Sequence, residues 1–340
     1  MLSVKLQFFY THIFHEGIAM RNIPFRVSVL WCLLVLLCSP IAHAWNNFGH
    51  MLVARIAWEN MSPEQRTQAT EILRGLGADY DMLTNGKPAN VDQDLYAFLK
   101  AATWPDMIRS PGSKLHAEHR AKWHYINYPI ELDNVNGPQP STAWKVGDNP
   151  TNAIQALKRC EHVLKDSQSD TRERAIALCW MLHLIGDIHQ PLHATALFSD
   201  DFPEGDRGGN LFIVSLNNRQ IVLHTYWDTL LGVSNSPSVV NKRLIEYMQK
   251  PELRRTAFPT ALKVTGYEEW AKESLALALE TAYEDGSLRG QNEELLKEDP
   301  TLPVPVVDLG YADDAFALAR KRVCLAGYRM ANKLSSIFGG

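Results

Sequence analysis

Apolar positions recur with helical spacing along most of the chain. Leu52, Val53, Ile56 and Ala57 form one stripe within residues 49–61. Ser62-Pro63-Glu64-Gln65 then offers an N-cap followed by proline at the first helical position, opening a second helix through Leu73. A third is expected over 92–102, ending near Thr103-Trp104-Pro105. Residues 151–164 and 171–190 read as two long helices in an αα-hairpin, and 237–248, 267–283 and 311–336 continue the helical set. The runs 211–216 and 220–223 flank Asn217-Asn218 and read as a β-hairpin. Proline, glycine and asparagine mark 110–119 and 128–148 as loops, 200–209 as a polar loop and 288–309 as a crossover. No internal repeat or low-complexity tract interrupts this order. The pattern predicts an all-α fold, a single large helical domain with one short β-hairpin.

The first 44 residues follow a different pattern. Arg21 and Arg26 precede an apolar run over 27–38, and Ala42-His43-Ala44 supplies small residues for cleavage, the layout of an export signal. The run is too short to span a bilayer, so no stable membrane anchor is expected. Met20 stands directly before it, which leaves Met1 or Met20 as the start. Cleavage would yield an exported protein, periplasmic or secreted, whose single domain covers 45–340 and begins at Trp45. Cys32 and Cys38 would leave with the signal. Cys160, Cys179 and Cys324 then fit either one disulfide with a leftover thiol or three buried thiols.

Composition narrows the chemistry only slightly. The 340 residues are 46% hydrophobic and 21% charged, an ordinary globular balance. Thirty-four Lys and Arg face 38 Asp and Glu, for a net charge of −4. That charge advertises no basic patch for duplex nucleic acid, so a polyanionic substrate would need bound metal to supply positive field.

Candidate chemistry concentrates in His183-Leu184-Ile185-Gly186-Asp187-Ile188-His189-Gln190-Pro191-Leu192-His193. His183 and Asp187 are four apart, which on a helix places both on one face. Gln190-Pro191 should end that helix, leaving His193 in the next turn, free to point back. Converging nitrogen and oxygen ligands suit zinc; the plainer reading is a buried His–Asp pair that orients a turn. The same His-x-x-x-Asp spacing returns in His224-Thr225-Tyr226-Trp227-Asp228. Trp104-Pro105-Asp106 and Trp123-His124-Tyr125-Ile126-Asn127 each set a candidate ligand near a tryptophan, and Trp45-Asn46-Asn47-Phe48-Gly49-His50 begins at the expected cleavage point.

Taken in this order, the motifs resemble the secreted zinc-dependent, single-strand-specific nucleases of moulds and plants, the S-one/P-one nucleases, which also act as 3′-nucleotidases. The resemblance runs from Trp45 to the Leu325-Ala326-Gly327-Tyr328-Arg329 segment. It implies three zinc ions. Asp106, His124, His183 and Asp187 would hold the first, and His193, His224 and Asp228 the second. The third would take the α-amine and carbonyl oxygen of Trp45, with His50 and the shared Asp187. It further implies attack by a metal-activated hydroxide, 5′-phosphorylated products, and single-stranded RNA, DNA and 3′-nucleotides as substrates, with no obligate protein partner.

Other residues carry two readings. Arg109 could clamp a phosphate oxygen bidentately or form a surface ion pair. Tyr125 could stack a nucleobase or pack in the core. His116, His119, His162 and His189 read as supporting or surface histidines, and Trp104, Trp123, Trp180 and Trp227 as core. Asp206-Arg207-Gly208-Gly209-Asn210 resembles a family loop but also reads as a turn entering the hairpin. Asn127 departs from the mould enzymes, which place an aspartate there near the attacking water; an amide can orient water but cannot take its proton. Two other functions share parts of the pattern. A zinc-dependent phospholipase C resembles it in its three-zinc, N-terminal-tryptophan arrangement, although Asp228 stands where glutamate would favour the lipase. A non-catalytic zinc-binding protein of the cell envelope would need the ligands alone.

Overall fold

The computed structural model describes residues 45–339. The expected signal, its cleavage site, both candidate start methionines and Cys32 and Cys38 lie outside the described residues. Helix α1 (Asn47–Glu59) starts where the Asn46 side chain accepts from the backbone N–H groups of Phe48 and Gly49. α2 (Pro63–Arg74) begins with a full capping box, the Ser62 hydroxyl on the N–H of Gln65 and the Gln65 side chain on that of Ser62. Asp92 caps α3 (Gln93–Ala101), and α4 (Trp104–Met107) is a single turn with proline near its start. Asn152 caps α5 (Ala153–Lys165) and Asp170 caps α6 (Thr171–Asp187).

α6 is buried almost all round from Ala175 to Asp187, as its continuous apolar sequence requires. α1, α2, α3, α4, α5 and the long terminal helix all pack against it. The later elements are α7 (Leu223–Thr229), α8 (Pro237–Met248), α9 (Tyr267–Leu277) and α10 (Leu309–Phe338). Five short strands join them. β1 (Tyr128–Glu131) pairs in parallel with β2 (Thr195–Phe198), Tyr128 opposite Thr195. The α5–α6 hairpin provides the crossover that parallel pairing needs. β3 (Phe212–Leu216) and β4 (Arg219–Val222) form the expected hairpin, and β5 (Gln291–Asn292) adds to the other edge of β3. Asn217 and Asn218 have φ of 51° and 62°, the left-handed pair that a tight hairpin turn demands.

The mostly helical fold with a β-hairpin is as expected, with local differences. α6 ends at Asp187, three residues before Gln190, because His189 and Gln190 already turn toward Pro191. β1 lies in a tract expected to be loop; its partner is 67 residues away, beyond any local signal. α9 stops at Leu277, and a π-helical turn (Ala278–Ala282) follows it. The 288–309 crossover contains β5 and a short helix, Glu293–Glu298. Cys160, Cys179 and Cys324 are free and buried. Among the described residues no helix is long and apolar enough to cross a membrane.

Two apolar clusters share this one compact unit. The larger surrounds α6; the smaller gathers Leu192, Phe212, Val214, Trp227, Tyr283 and Tyr311 around β3 and α7. α6 with its candidate ligands belongs to the first and α7 to the second, so the candidate site sits where they meet.

Candidate metal centre

The end of α6 is where ligand atoms first converge. His183 and Asp187 stand one helical turn apart and are fully buried. His183 Nδ1 lies 2.8 Å from the carbonyl oxygen of Ala102. A carbonyl only accepts, so Nδ1 carries the proton and Nε2 presents a lone pair. That Nε2 lies 3.3 Å from Asp187 Oδ2, 3.0 Å from His124 Nδ1 and 4.0 Å from Asp106 Oδ1. His124 arrives on a 3-10 turn, Ala121–His124, and its Nδ1 is also 3.3 Å from Asp187 Oδ2. The other oxygen, Oδ1, lies 3.3 Å from Nε2 of His50, in the first turns of α1. One carboxylate therefore faces histidines from two directions.

The packing enforces that approach. The His50 ring stacks on His183 with centroids 3.8 Å apart. A Cβ on Gly186 would stand 2.8 Å from His50 Nδ1, so only glycine admits the ring here.

A second convergence involves His193, in the turn just ahead of β2. His193 Nδ1 donates to the carbonyl oxygen of His124 at 2.7 Å, and His224 Nδ1 to that of Gly208 at 2.6 Å. Both Nε2 atoms consequently present lone pairs, and they face each other 3.0 Å apart in a buried place. Two such lone pairs repel unless a cation lies between them. Asp228, four residues after His224 on α7, sets Oδ2 3.4 Å from His224 Nε2. That oxygen is buried and has no hydrogen bond, and neither have the carboxylate oxygens of Asp106 and Asp187.

The electrostatics agree. Burial pushes Asp106 up to about 7 and holds Asp187 and Asp228 well above the usual carboxylate range. Burial likewise holds His124 and His193 well below the usual imidazole range and lowers His224 to about 4. Neutral imidazoles and unpartnered carboxylates are a donor set for a divalent cation. Three groups bring their ligand atoms within 4.8 Å: His50, Asp106 and His183; His124, His183 and Asp187; and His193, His224 and Asp228. His183 belongs to the first two.

The remaining sequence candidates fall around this centre. Trp45 is fully buried, and the next residue, Asn46, donates its backbone N–H to the Asp228 carbonyl at 3.2 Å and its side chain to that of Gly232 at 2.7 Å. Those bonds tie the start of the described chain to the α7 region. Arg109 is half-buried, and its positive charge opposes the effect of burial on Asp106, Asp187 and Asp228. Tyr125 is 38% exposed, which excludes a packed core role for the whole ring. Asn127 is half-buried between His124 and β1. Trp104, Trp123, Trp180 and Trp227 are buried, as a core reading requires. His189 is buried with Nδ1 on the Ile185 carbonyl and Nε2 accepting from Arg329, so it supports rather than joins the centre.

The buried role of the Asp206 carboxylate is what the sequence reading missed. The Asp206 loop is more than a turn: its fully buried carboxylate accepts from the N–H of Leu197 and Gly209 and from the Tyr283 hydroxyl. Burial raises Asp206 to about 6 against those bonds. The loop presents the Gly208 carbonyl to His224. At Gly208 (φ 63°) a Cβ would lie 2.4 Å from the Leu192 carbonyl oxygen, so glycine is required twice over. Its signal was the Asp-x-Gly-Gly run itself.

Residues 45–339, which carry all of these groups, match one family profile, S1/P1 Nuclease. The chain belongs to that family. It is 26% identical over 349 residues to Endonuclease 4 of Arabidopsis thaliana, covering 91% of this chain and 95% of that protein. It is 24% identical to Nuclease P1 of Penicillium citrinum, covering 87% and 98%. Nuclease S1 of Aspergillus oryzae is also 24% identical, covering 88% and 93%. Family membership supports a nuclease, and therefore a hydrolase acting on nucleic acid.

Proposed function

We propose that this chain is an exported zinc-dependent endonuclease. Its substrates would be single-stranded RNA and DNA, cut to 5′-phosphorylated products, with 3′-nucleotidase activity at the same site. The observation that carries the reading is the pair of buried lone pairs on His193 and His224, 3.0 Å apart, within a family of nucleases. Three zinc ions fit the donors. Asp106, His124, His183 and Asp187 would hold one, and His193, His224 and Asp228 another. The freed α-amine and carbonyl oxygen of Trp45, with His50 and Asp187, would hold the third. An α-amine with a pKa near 8 yields its proton readily to a metal. Removal of residues 1–44 at Ala44-Trp45 would then both finish export processing and complete the site.

Bound zinc supplies Lewis acidity toward the phosphate ester and lowers the pKa of water to near neutrality. The chain's own residues supply the rest. The Arg109 guanidinium binds a non-bridging phosphate oxygen through paired N–H donors. The exposed Tyr125 ring stacks a base turned out of the strand, which a paired, stacked duplex does not present. Asn127 holds the attacking water by hydrogen bonding while leaving its proton in place.

The test is a zinc-loaded protein beginning at Trp45, assayed on single- and double-stranded nucleic acid, a 3′-mononucleotide and a phosphatidylcholine. Close to three zinc ions per chain and single-strand cleavage leaving 5′-phosphates are expected. Hydrolysis of the lipid alone, or zinc without hydrolysis of any phosphate ester, refutes the proposal.

A further inference from the structure

Gln190 is fully buried between the two ligand convergences and uses every part of itself. Its N–H donates to the Asp187 carbonyl at 2.8 Å, and its own carbonyl accepts from the N–H of His193 at 3.0 Å. Its side-chain Oε1 accepts from the N–H of Leu192 at 2.6 Å, capping the turn that carries His193. Its Nε2 donates to Asp228 Oδ1 at 2.8 Å, across 38 residues. One side chain thus touches the turn bearing one ligand and the carboxylate of another. With Oδ1 taken by the amide, Oδ2 is the oxygen left toward His224 Nε2.

The turn that carries Gln190 is itself held from below. Arg322 donates Nε to the His189 carbonyl at 3.1 Å, and Arg329 donates to His189 Nε2 at 3.0 Å. Both arginines are buried on α10 and pair with Glu273 of α9. Ser274 adds a bond to the Ile188 carbonyl at 2.5 Å. Gln190 is therefore a short, fixed lever rather than a loose contact.

We propose that Gln190 is the positioning residue of the His193–His224–Asp228 cluster, selecting which Asp228 oxygen faces a metal ion and holding His193 in register with it. The proposal rests on the metal reading above. Only an amide does both jobs. Glutamate can accept from Leu192 but sets a like charge against Asp228, and methionine fills the volume while making neither bond.

The experiment measures zinc affinity site by site, by competition with a graded chelator series, in the parent protein, Gln190→Met and Gln190→Glu. Loss of a partner that orients a ligand costs about 10–100-fold in metal affinity. One of three zinc ions should be weakened by that factor in both variants, the other two staying within about twofold of the parent. Gln190→Glu keeps the Leu192 bond, so it reports on Asp228 alone if Gln190→Met fails to fold. Unchanged affinity at every site, tighter binding in Gln190→Glu, or equal weakening at all three overturns the proposal. A parent protein that takes up no zinc overturns the metal reading first, before any variant is compared.

Discussion

Asp106→Asn should change stability in opposite directions with and without metal. Asp106 is buried, neither of its carboxylate oxygens is hydrogen-bonded, and its nearest imidazole nitrogen is 4.0 Å away. Burial lifts its pKa from the ordinary 3.8 to about 7. That shift of about three units corresponds to roughly 4 kcal/mol. In metal-free protein the folded form keeps the proton between pH 4 and 7 while the unfolded chain has lost it. Stability therefore falls as pH rises through this window, and the full ~4 kcal/mol is forfeited above pH 7. The amide cannot ionise, so it removes this loss. Its benefit should be ~4 kcal/mol at pH 8 and roughly half that or less at pH 5. Any constant effect of the amide is common to both, so the pH difference, about 2 kcal/mol or more, is the quantity to measure. With saturating zinc the sign reverses, because losing a proposed direct ligand should weaken the site by more than about 1,000-fold, which costs over ~4 kcal/mol and outweighs the metal-free gain. Urea unfolding followed by tryptophan fluorescence, in chelator at pH 5 and 8 and in zinc at pH 8, covers all three conditions. A metal-free difference independent of pH, or a zinc-loaded variant as stable as its parent, refutes the reasoning.

Four further outcomes are expected. Asp187→Asn should lower the zinc content by about two ions per chain by elemental analysis, since its two oxygens face different histidines. Gly186→Ala should drive a methyl group into the His50 ring and lower zinc content together with melting temperature, while leaving helicity by circular dichroism largely intact. Tyr125→Ala should raise KM for single-stranded substrate by about 1–3 kcal/mol of lost stacking, with zinc content unchanged. A protein with two extra residues before Trp45 should hold about one zinc fewer than one beginning at Trp45, and equal zinc content and turnover in the two would eliminate the amine as a ligand.

Much of the site was legible because its key pairs are local. His183 with Asp187, and His224 with Asp228, are set by one turn of helix, and the Asn217-Asn218 hairpin by two residues. What sequence spacing could not reveal are bonds whose partners lie far apart. Nothing near Gln190 points to Asp228, nothing near Asn46 points to the α7 region, and β1 reads as loop until β2 is beside it. Asp206 was legible as a turn but not as a buried carboxylate, since one of its hydrogen-bond partners, Tyr283, lies 77 residues on. Arg322 and Arg329 left a usable trace: seven apart within an otherwise buried stretch of α10, they share one face. Spacing left the three cysteines undecided because three buried thiols and one disulfide with a leftover thiol make the same pattern.

The bond from His193 Nδ1 to the His124 carbonyl joins two candidate ligands of different groups, and Ile126 N–H returns a bond to the His193 carbonyl at 2.9 Å. Each histidine is thus part of the scaffold of the other's site. An ion that settles at His193 stiffens the backbone that presents His124, so the next ion meets a partner already in place and loses less conformational freedom. Loading of these two groups should then be weakly cooperative, each ion modestly tightening the other's site while either can still fill alone. An enzyme wired this way would lose activity over a slightly narrower range of zinc concentration than independent sites would give.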